Sequence, residues 1–383
     1  MFRSYKLKDY NFRLVLWLVL LSGLGVLLVG SAMESLQMRQ LGGVIGGIVI
    51  MFVISMMDYS WILRFHWLIY IINILMLLAI RFMGKTSGGA TRWISIAGIR
   101  FQPVELSKIL VILFFAKFFY DHEKDINSFR TIIKSLLFVS VSLVLIYIQP
   151  DMKNTITVIV LFCVLYFAAG LSYKIIGAIL AVFVPLVIIF MMIVVQPDQT
   201  LIKDYQRNRI MAFLYPDDEE YQDLTIQQNN SKTAIGSGEL TGKGLNNSDV
   251  DSANKGNFIA EIQTDFIFAV AGEELGFLGS AGIVVLLLLI VYECLMMGHK
   301  AKDMSGRIIC CGMACIISIQ SFINISVATG LLPNTGTPLP FVSYGLTSLI
   351  SLYIGMGFVL NVGLQSKIRI RNTGVKKNSI SGL

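Results

Sequence analysis

From Ile308 to Ser366 the chain runs 59 residues without a single Asp, Glu, Lys or Arg. About 20 consecutive apolar residues already match the hydrocarbon core of a bilayer, so this run demands a membrane. Gly330, Pro333, Gly336, Pro338 and Pro340 interrupt it, and it reads as two spans joined by a tight loop. Charge-free windows at 14–33, 40–57, 154–173, 175–197 and 275–292 repeat the signal, with weaker spans near 65–83, 101–120 and 132–149. Residues are 55% hydrophobic and 14% charged, where soluble domains carry roughly a quarter charged. A soluble enzyme, a disordered chain and a nucleic-acid-binding module are set aside. The expectation is an all-α, polytopic integral membrane protein of about ten transmembrane helices, a single membrane domain over 1–383.

Charge sorts by side. Eighteen of the 31 Lys and Arg fall on one face of the membrane, among them Arg3, Lys6, Lys8, Arg13, Lys300, Lys302 and Arg307. Six of the remainder sit in one long loop, which orients poorly, so both termini are expected on the cytoplasmic side. The basic tail 367–383 then lies cytoplasmic and close to the membrane lipids. The long loop, 196–265, is extracytoplasmic between spans 7 and 8. It holds twelve of the 24 acidic residues against six basic ones. The overall +7 is therefore a membrane-orienting body plus an acidic outer loop, not a patch for nucleic acid. A connection this long without regular structure is usually functional or disordered.

Cys163, Cys294, Cys310, Cys311 and Cys315 lie in apolar runs and read as packing residues, and the three His are isolated. Polar groups at bilayer depth are costly, so each one is a functional candidate. The first cluster is Arg92-Trp93 with Arg100-Phe-Gln-Pro-Val-Glu105-Leu-Ser-Lys108, where the i,i+3 spacing lets Glu105 and Lys108 pair. The second is Gln149-Pro150-Asp151. The third runs from Thr264-Asp265 to Glu273-Glu274-Leu-Gly276, with Asp265 at the head of an apolar helix, a place suited to a general base. The fourth is the uncharged hinge Pro338-Leu-Pro-Phe-Val-Ser343-Tyr344-Gly345, whose hydroxyls and backbone can line a cavity. Gly238-Glu-Leu-Thr-Gly242-Lys243-Gly244 lacks P-loop spacing and reads as a flexible loop, although its amides and Lys243 could meet a phosphate. A transporter with midplane acids and an enzyme acting on a lipid-linked substrate at the outer face both fit; the concentration of polar matter beside Asp265 favours the enzyme.

At these clusters the chain resembles the SEDS family (shape, elongation, division and sporulation), which includes RodA, FtsW and SpoVE. The matching segments are Arg92-Trp-Ile94, Arg100-Phe-Gln-Pro-x-Glu105-Leu-x-Lys108, Gln149-Pro-Asp151, Ala234-Ile-Gly-Ser-Gly238, Gly242-Lys-Gly244, Thr264-Asp-Phe-Ile-Phe-Ala269, Gly272-Glu-Glu-Leu-Gly276 and Pro338-Leu-Pro-Phe-Val-Ser-Tyr-Gly345. They occur in family order across roughly 12–366, and the last leans slightly towards the RodA branch. The resemblance implies ten transmembrane helices in the bacterial cytoplasmic membrane and peptidoglycan glycosyltransferase activity. Such proteins polymerise lipid II into a growing glycan strand outside the membrane, usually beside a class B penicillin-binding protein. The family's essential acid falls on Asp265, its intramembrane pair on Glu105 and Lys108, and the acid of its Gln-Pro-Asp segment on Asp151.

The implied chemistry needs a base for the attacking sugar hydroxyl and positive charge for the departing pyrophosphate. Arg92, Arg100, Arg207, Arg209 and Lys243 are the cations on the correct side. With Glu105, Lys108, Asp151 and Ser343 they form the expected substrate-binding set. Asp265 as ligand of a divalent cation, Mg2+ or Mn2+, stays open, with no metal ligands assigned. A lipid II flippase using Glu105, Lys108 and Asp151, or a non-catalytic scaffold for the penicillin-binding protein, are the alternatives. The chain departs from the family pattern at Gln263, at Glu261-Ile262, at Lys153-Asn154 and at Leu346-Thr347. Gln263 cannot titrate, and Lys153 is expected to add a cation beside Asp151.

Overall fold

The computed structural model describes residues 9–87, 90–96, 99–196, 202, 204–216, 218–246, 259 and 261–380. Asp198, Lys203, Asp217, Asp249, Asp251 and Lys255 of the acidic loop lie outside the described residues, as do the side chains of Arg100 and of the tail from Lys367. The chain forms α1 (Phe12–Ala32), α2 (Glu34–Met56), α3 (Tyr59–Ile62), α4 (His66–Met83), α5 (Pro103–Asp121), α6 (Phe129–Ile148) and α7 (Met152–Ala169). There follow α8 (Tyr173–Val194), α9 (Asp204–Leu214), α10 (Gln222–Ser237), α11 (Ile267–His299), α12 (Met304–Ala328) and α13 (Leu346–Ile380). Side chains cap several ends: Asn11 accepts from Leu14 N, Asp58 from Ser60 N and Asp303 from Gly306 N.

Eight spans among the described residues are long and apolar enough to cross a membrane, α3 and α4 together making one, Tyr59–Met83. The 19-residue α5 and the 22-residue α8 bring the set to the expected ten. Leu16, Leu27, Val49, Leu75, Leu137 and Leu288 are exposed on the outside of the bundle, as lipid-facing surface requires. The interior is built by α12 and α13, which bury 67% and 72% of their spans. Its other member is α5, whose Phe114, Phe115 and Phe119 are fully buried. The sequence ranks α5 among the weak spans because it carries Glu105 and Lys108. Those charges instead mark it as interior, since a paired charge is tolerable only away from lipid. Helix α2 reaches α13 through Gly43 and Gly47, where an added Cβ would stand 2.6 Å from Leu346 and would overlap the ring of Tyr353.

Three features depart from the sequence reading. First, residues between α4 and α5 form a small antiparallel sheet, β1 (Lys85–Ser87), β2 (Ala90–Ile96) and β3 (Ile99–Phe101), in the order β1-β2-β3. The all-α class stands; the strands are too short and mixed in polarity to show a period. Second, the described part of the outer loop holds two helices, α9 and α10. Helix α10 is polar yet anchored: Gln228 Nε2 donates to Val327 O and Leu332 O at 2.8 and 2.7 Å, and Ser231 Oγ to Ala328 O at 2.8 Å. It thereby satisfies carbonyls that the C-terminus of α12 leaves without intrahelical partners. Third, the segment between α12 and α13 is not a tight loop. It folds back into the bundle, with Tyr344 N donating to Gln263 O at 2.9 Å.

Helix α11 breaks at Gly276, whose φ of 66° and ψ of −164° no helix accommodates. The glycine-rich segment after α10 mends the break. Lys243 N and Gly244 N donate to Glu273 O and Glu274 O, each at 3.0 Å, while Phe277 N and Leu278 N donate to Glu239 O and Leu240 O at 2.9 and 3.1 Å. Gly242 is required there, because an added Cβ would collide with Glu274 O. The amides suggested as a phosphate cradle are thus consumed inside the fold, and that expectation is corrected.

Candidate functional site

Asp265 closes the outer loop one residue before the N-cap of α11, and the chain holds it through its own backbone. Asn324 Nδ2, from α12, donates to Asp265 O at 2.8 Å and to Thr337 O at 2.7 Å. Ser343 Oγ donates to Thr264 O at 2.6 Å and accepts from Leu339 N at 2.8 Å. Residues 334–344 therefore form a wall beside the acid, and Gly336 is its point of closest approach. At φ 69°, an added Cβ on Gly336 would stand 2.9 Å from Asp265 Oδ2. A Gly336→Ala variant is expected to lose about 10²-fold in activity by displacing that carboxylate. Backbone strain at positive φ adds a cost of about 1–2 kcal/mol. Turnover measured beside a thermal melt in detergent checks both effects.

Three cations surround Asp265 from separate elements: Lys153 on α7, Arg209 on α9 and Arg92 on β2. None of them forms an ion pair with it; each rests on a backbone carbonyl. Lys153 Nζ donates to Gly336 O, Arg209 Nη1 to Asn334 O at 3.2 Å, and Arg92 Nη2 to Pro150 O at 2.6 Å. Burial pushes the Asp265 carboxyl above the usual carboxylate range, against the opposing pull of Lys153, Arg209, the neighbouring Thr264 and Arg92. Desolvation prevails. The result is a carboxylate of raised basicity beside net positive charge, at the end of the bundle where α5, α7 and α11 begin.

The other expected residues fall into place less uniformly. Glu105 and Lys108 pair at 2.8 Å, both fully buried, with Ser348 Oγ on the second carboxylate oxygen at 3.0 Å and Asn154 Oδ1 at 3.4 Å from Nζ. Asp151 caps α7, accepting from Asn154 N and from Asn154 Nδ2 at 2.8 Å, and its cation is Arg92, at 3.9 Å. The expected pairing with Lys153 is corrected: residues i and i+2 do not share a helix face, and Lys153 reaches across to the loop instead. Lys243 pairs with Glu273 at 2.9 Å, so it braces the kink of α11 rather than facing Asp265. Ser343 has its hydroxyl engaged on both sides within the wall, which makes it a latch for the Asp265 loop and not a free ligand for substrate. Arg207 is half-buried on α9 with its Nε unpartnered, and Arg100 offers only its backbone position, on β3.

Among the described residues no three His, Cys, Asp or Glu side chains converge on one point. Among the described residues the charged groups acting on Asp265 are cationic, a set that does not fit a resident divalent cation. Two important residues escape the sequence reading. Asn324 is a fully buried polar side chain on α12, but Gln320, Ser321 and Ser326 are buried on the same helix, so its residue type alone does not single it out. Lys153 was visible as a departure but assigned the wrong partner.

Residues 12–368 match the FtsW/RodA/SpoVE family model, described as cell cycle protein. The peptidoglycan glycosyltransferase MrdB of Escherichia coli K12 is 34% identical over 336 residues, 86% of each chain. The probable peptidoglycan glycosyltransferase FtsW of Geobacter sulfurreducens is 32% identical over 378 residues, 94% of this chain and 97% of that one. Among solved structures, a chain of a peptidoglycan synthase complex that coordinates polymerisation with crosslinking superposes with a TM-score of 0.77. It is 25% identical, with 93% of this chain and 98% of that one covered. The rod shape determining protein RodA of Thermus thermophilus has the same fold, with a TM-score of 0.68 at 24% identity over 92% of this chain and 96% of that one. A match over nearly the whole chain, taking in the segments that build the wall around Asp265, places this protein in the FtsW/RodA/SpoVE family.

Proposed function

We propose that this protein polymerises lipid II at the outer face of the bacterial cytoplasmic membrane, with Asp265 as general base. It is a peptidoglycan glycosyltransferase, as its relatives are named. One observation carries the assignment of the site: the half-buried Asp265 carboxylate stands against the Gly336 turn, under the influence of Lys153, Arg209 and Arg92, without an ion pair to any of them. In the reaction the 4-hydroxyl of an acceptor GlcNAc attacks C1 of a donor MurNAc. The new bond is C1–O4, the bond from C1 to the pyrophosphate oxygen breaks, and undecaprenyl pyrophosphate leaves with the electron pair. Asp265 takes the hydroxyl proton, and its raised basicity suits that task. Arg209, which donates to Asn334 O, and Arg92, which donates to Pro150 O and faces Asp151 at 3.9 Å, can turn towards the developing pyrophosphate charge, in a site where such charge is poorly screened.

The distribution of Lys and Arg supports cytoplasmic termini, which set the Asp265 end outside. One structural relative belongs to a peptidoglycan synthase complex that couples polymerisation to crosslinking. That likeness supports a crosslinking partner here, which we assign to the class B penicillin-binding proteins. The flippase reading loses its motivation, because Glu105 and Lys108 are buried against each other and offer no open intramembrane charge. The test is purified protein with its partner and lipid II. Glycan strands are expected from the wild type and not from Asp265→Ala; an Asp265→Ala protein as fast as wild type overturns the assignment.

A further inference from the structure

The first turn of α7 carries a residue that neither the ion pairs of the bundle nor the pyrophosphate-binding cations account for. Lys153 is half-buried, and it leaves the adjacent Asp151 to Arg92 and Asn154. Its ammonium group donates instead to Gly336 O, the backbone unit that touches the Asp265 carboxylate. It is also the strongest cationic influence on Asp265, ahead of Arg209 and Arg92, and it acts on buried Glu105 of α5 as well. One side chain thus links the paired interior of the bundle to the wall beside the acid.

We infer that Lys153 is a positioning residue for glycosyl transfer, clamping the Asn334–Gly336 turn against Asp265 and setting positive charge beside that carboxylate. The inference rests on the reading of Asp265 as general base. Two physical effects follow from one group. Its hydrogen bond is charge-assisted, stronger than a neutral one, and fixes Gly336 where a shift of the backbone would displace the reacting oxygen. Its charge opposes the burial of Asp265, keeping the base ionised at lower pH than burial alone would allow. The groups facing Asp265 are Lys153 from α7, Arg209 from α9, Arg92 from β2 and Thr264 beside it; Lys153 itself also faces Glu105 from α5.

The experiment compares Lys153→Met, Lys153→Gln and Lys153→Arg in full-length protein with its partner, measuring lipid II polymerisation as a function of pH from about pH 5 to about pH 9. Lys153→Met is expected to lose about ten-fold in kcat/KM, the scale of one charge-assisted hydrogen bond, mostly in kcat. Its acid limb moves to higher pH, since removing a cation lets burial raise Asp265 further. Lys153→Gln keeps a donor without the charge, so it shows the same limb shift with a smaller loss. Lys153→Arg keeps both rate and profile near wild type. If Lys153→Met does not survive purification, Lys153→Gln alone reads the shift of the limb. An unchanged acid limb in the neutral variants overturns the inference, whatever happens to the rate. That failure is separate from failure of the function itself, which shows as polymerisation by Asp265→Ala.

Discussion

An Asp265→Asn protein is expected to polymerise lipid II about 10²–10⁴-fold more slowly than wild type and to melt at a higher temperature. On the proposed mechanism the loss follows from removing the side chain assigned to take the acceptor proton, while the wall and the neighbouring cations remain. The gain in stability follows from the sign of the linkage. Burial raises the carboxyl above its unfolded value, so the folded state favours the neutral form. The stability this group contributes is full below the unfolded carboxylate pKa and is lost as pH rises through the raised folded value. Above that value the ionised acid is a burden on the fold, and a neutral amide relieves it. The melting difference should therefore shrink as the pH is lowered towards the ordinary carboxylate range. Wild-type activity should fall over the same interval, with its acid limb above that range. A melt in detergent at two pH values and a pH–rate profile check the two halves independently. A destabilised Asp265→Asn protein would contradict the burial argument.

The second large effect lies deeper in the bundle. Lys108→Met is expected to destabilise the protein by about 3–5 kcal/mol, because it strands Glu105 as an unpaired buried charge. Ser348 and the more distant Lys153 still act on Glu105, and neither replaces a partner at 2.8 Å. Glu105→Gln combined with Lys108→Met removes both charges and should recover most of the loss. That non-additivity, read from thermal melts of the two single variants and the double, is the signature of a direct pair. The exposed Lys117–Asp121 pair on the same helix provides the contrast: breaking it should cost less than about 1 kcal/mol. Activity in the double variant then shows whether the pair serves only to lock α5, α7 and α13 or also acts on the substrate.

Much of the fold is legible in the chain because a membrane allows few solutions. Charge-free runs of about 20 residues give span existence directly, and every span expected from the sequence has its helix. The helices outside the bilayer were not legible, because α9 and α10 are polar and held by contacts such as Gln228 on Val327 O. The sheet around Arg92 is not legible for a related reason: β1 and β3 are three residues each, and the seven residues of β2, Ala-Thr-Arg-Trp-Ile-Ser-Ile, do not alternate strictly between apolar and polar. At the site the same division holds. Asp265 and the Glu105–Lys108 pair were recognisable, one from its place at the head of an apolar helix and the other from i,i+3 spacing. Lys243 and Ser343 were recognisable as polar groups in motifs but not as braces. Their partners, Glu273, Thr264 and Leu339, lie across turns whose course the sequence does not reveal.

That this chain spans a membrane, about how many times, and which few residues there carry charge could all be read from its residues in order. Those properties are local, set by the cost of placing a polar group in hydrocarbon, and each is incurred residue by residue along the chain. Which cation serves which acid is a property of the folded bundle. Asp151 took Arg92 from a distant strand, and Lys153 crossed to the carbonyl of Gly336. Asp265 was left ionisable among three positive charges, paired with none of them. Such choices depend on how backbone carbonyls from remote turns are brought within hydrogen-bonding distance, and that is fixed by the packing of all the helices together.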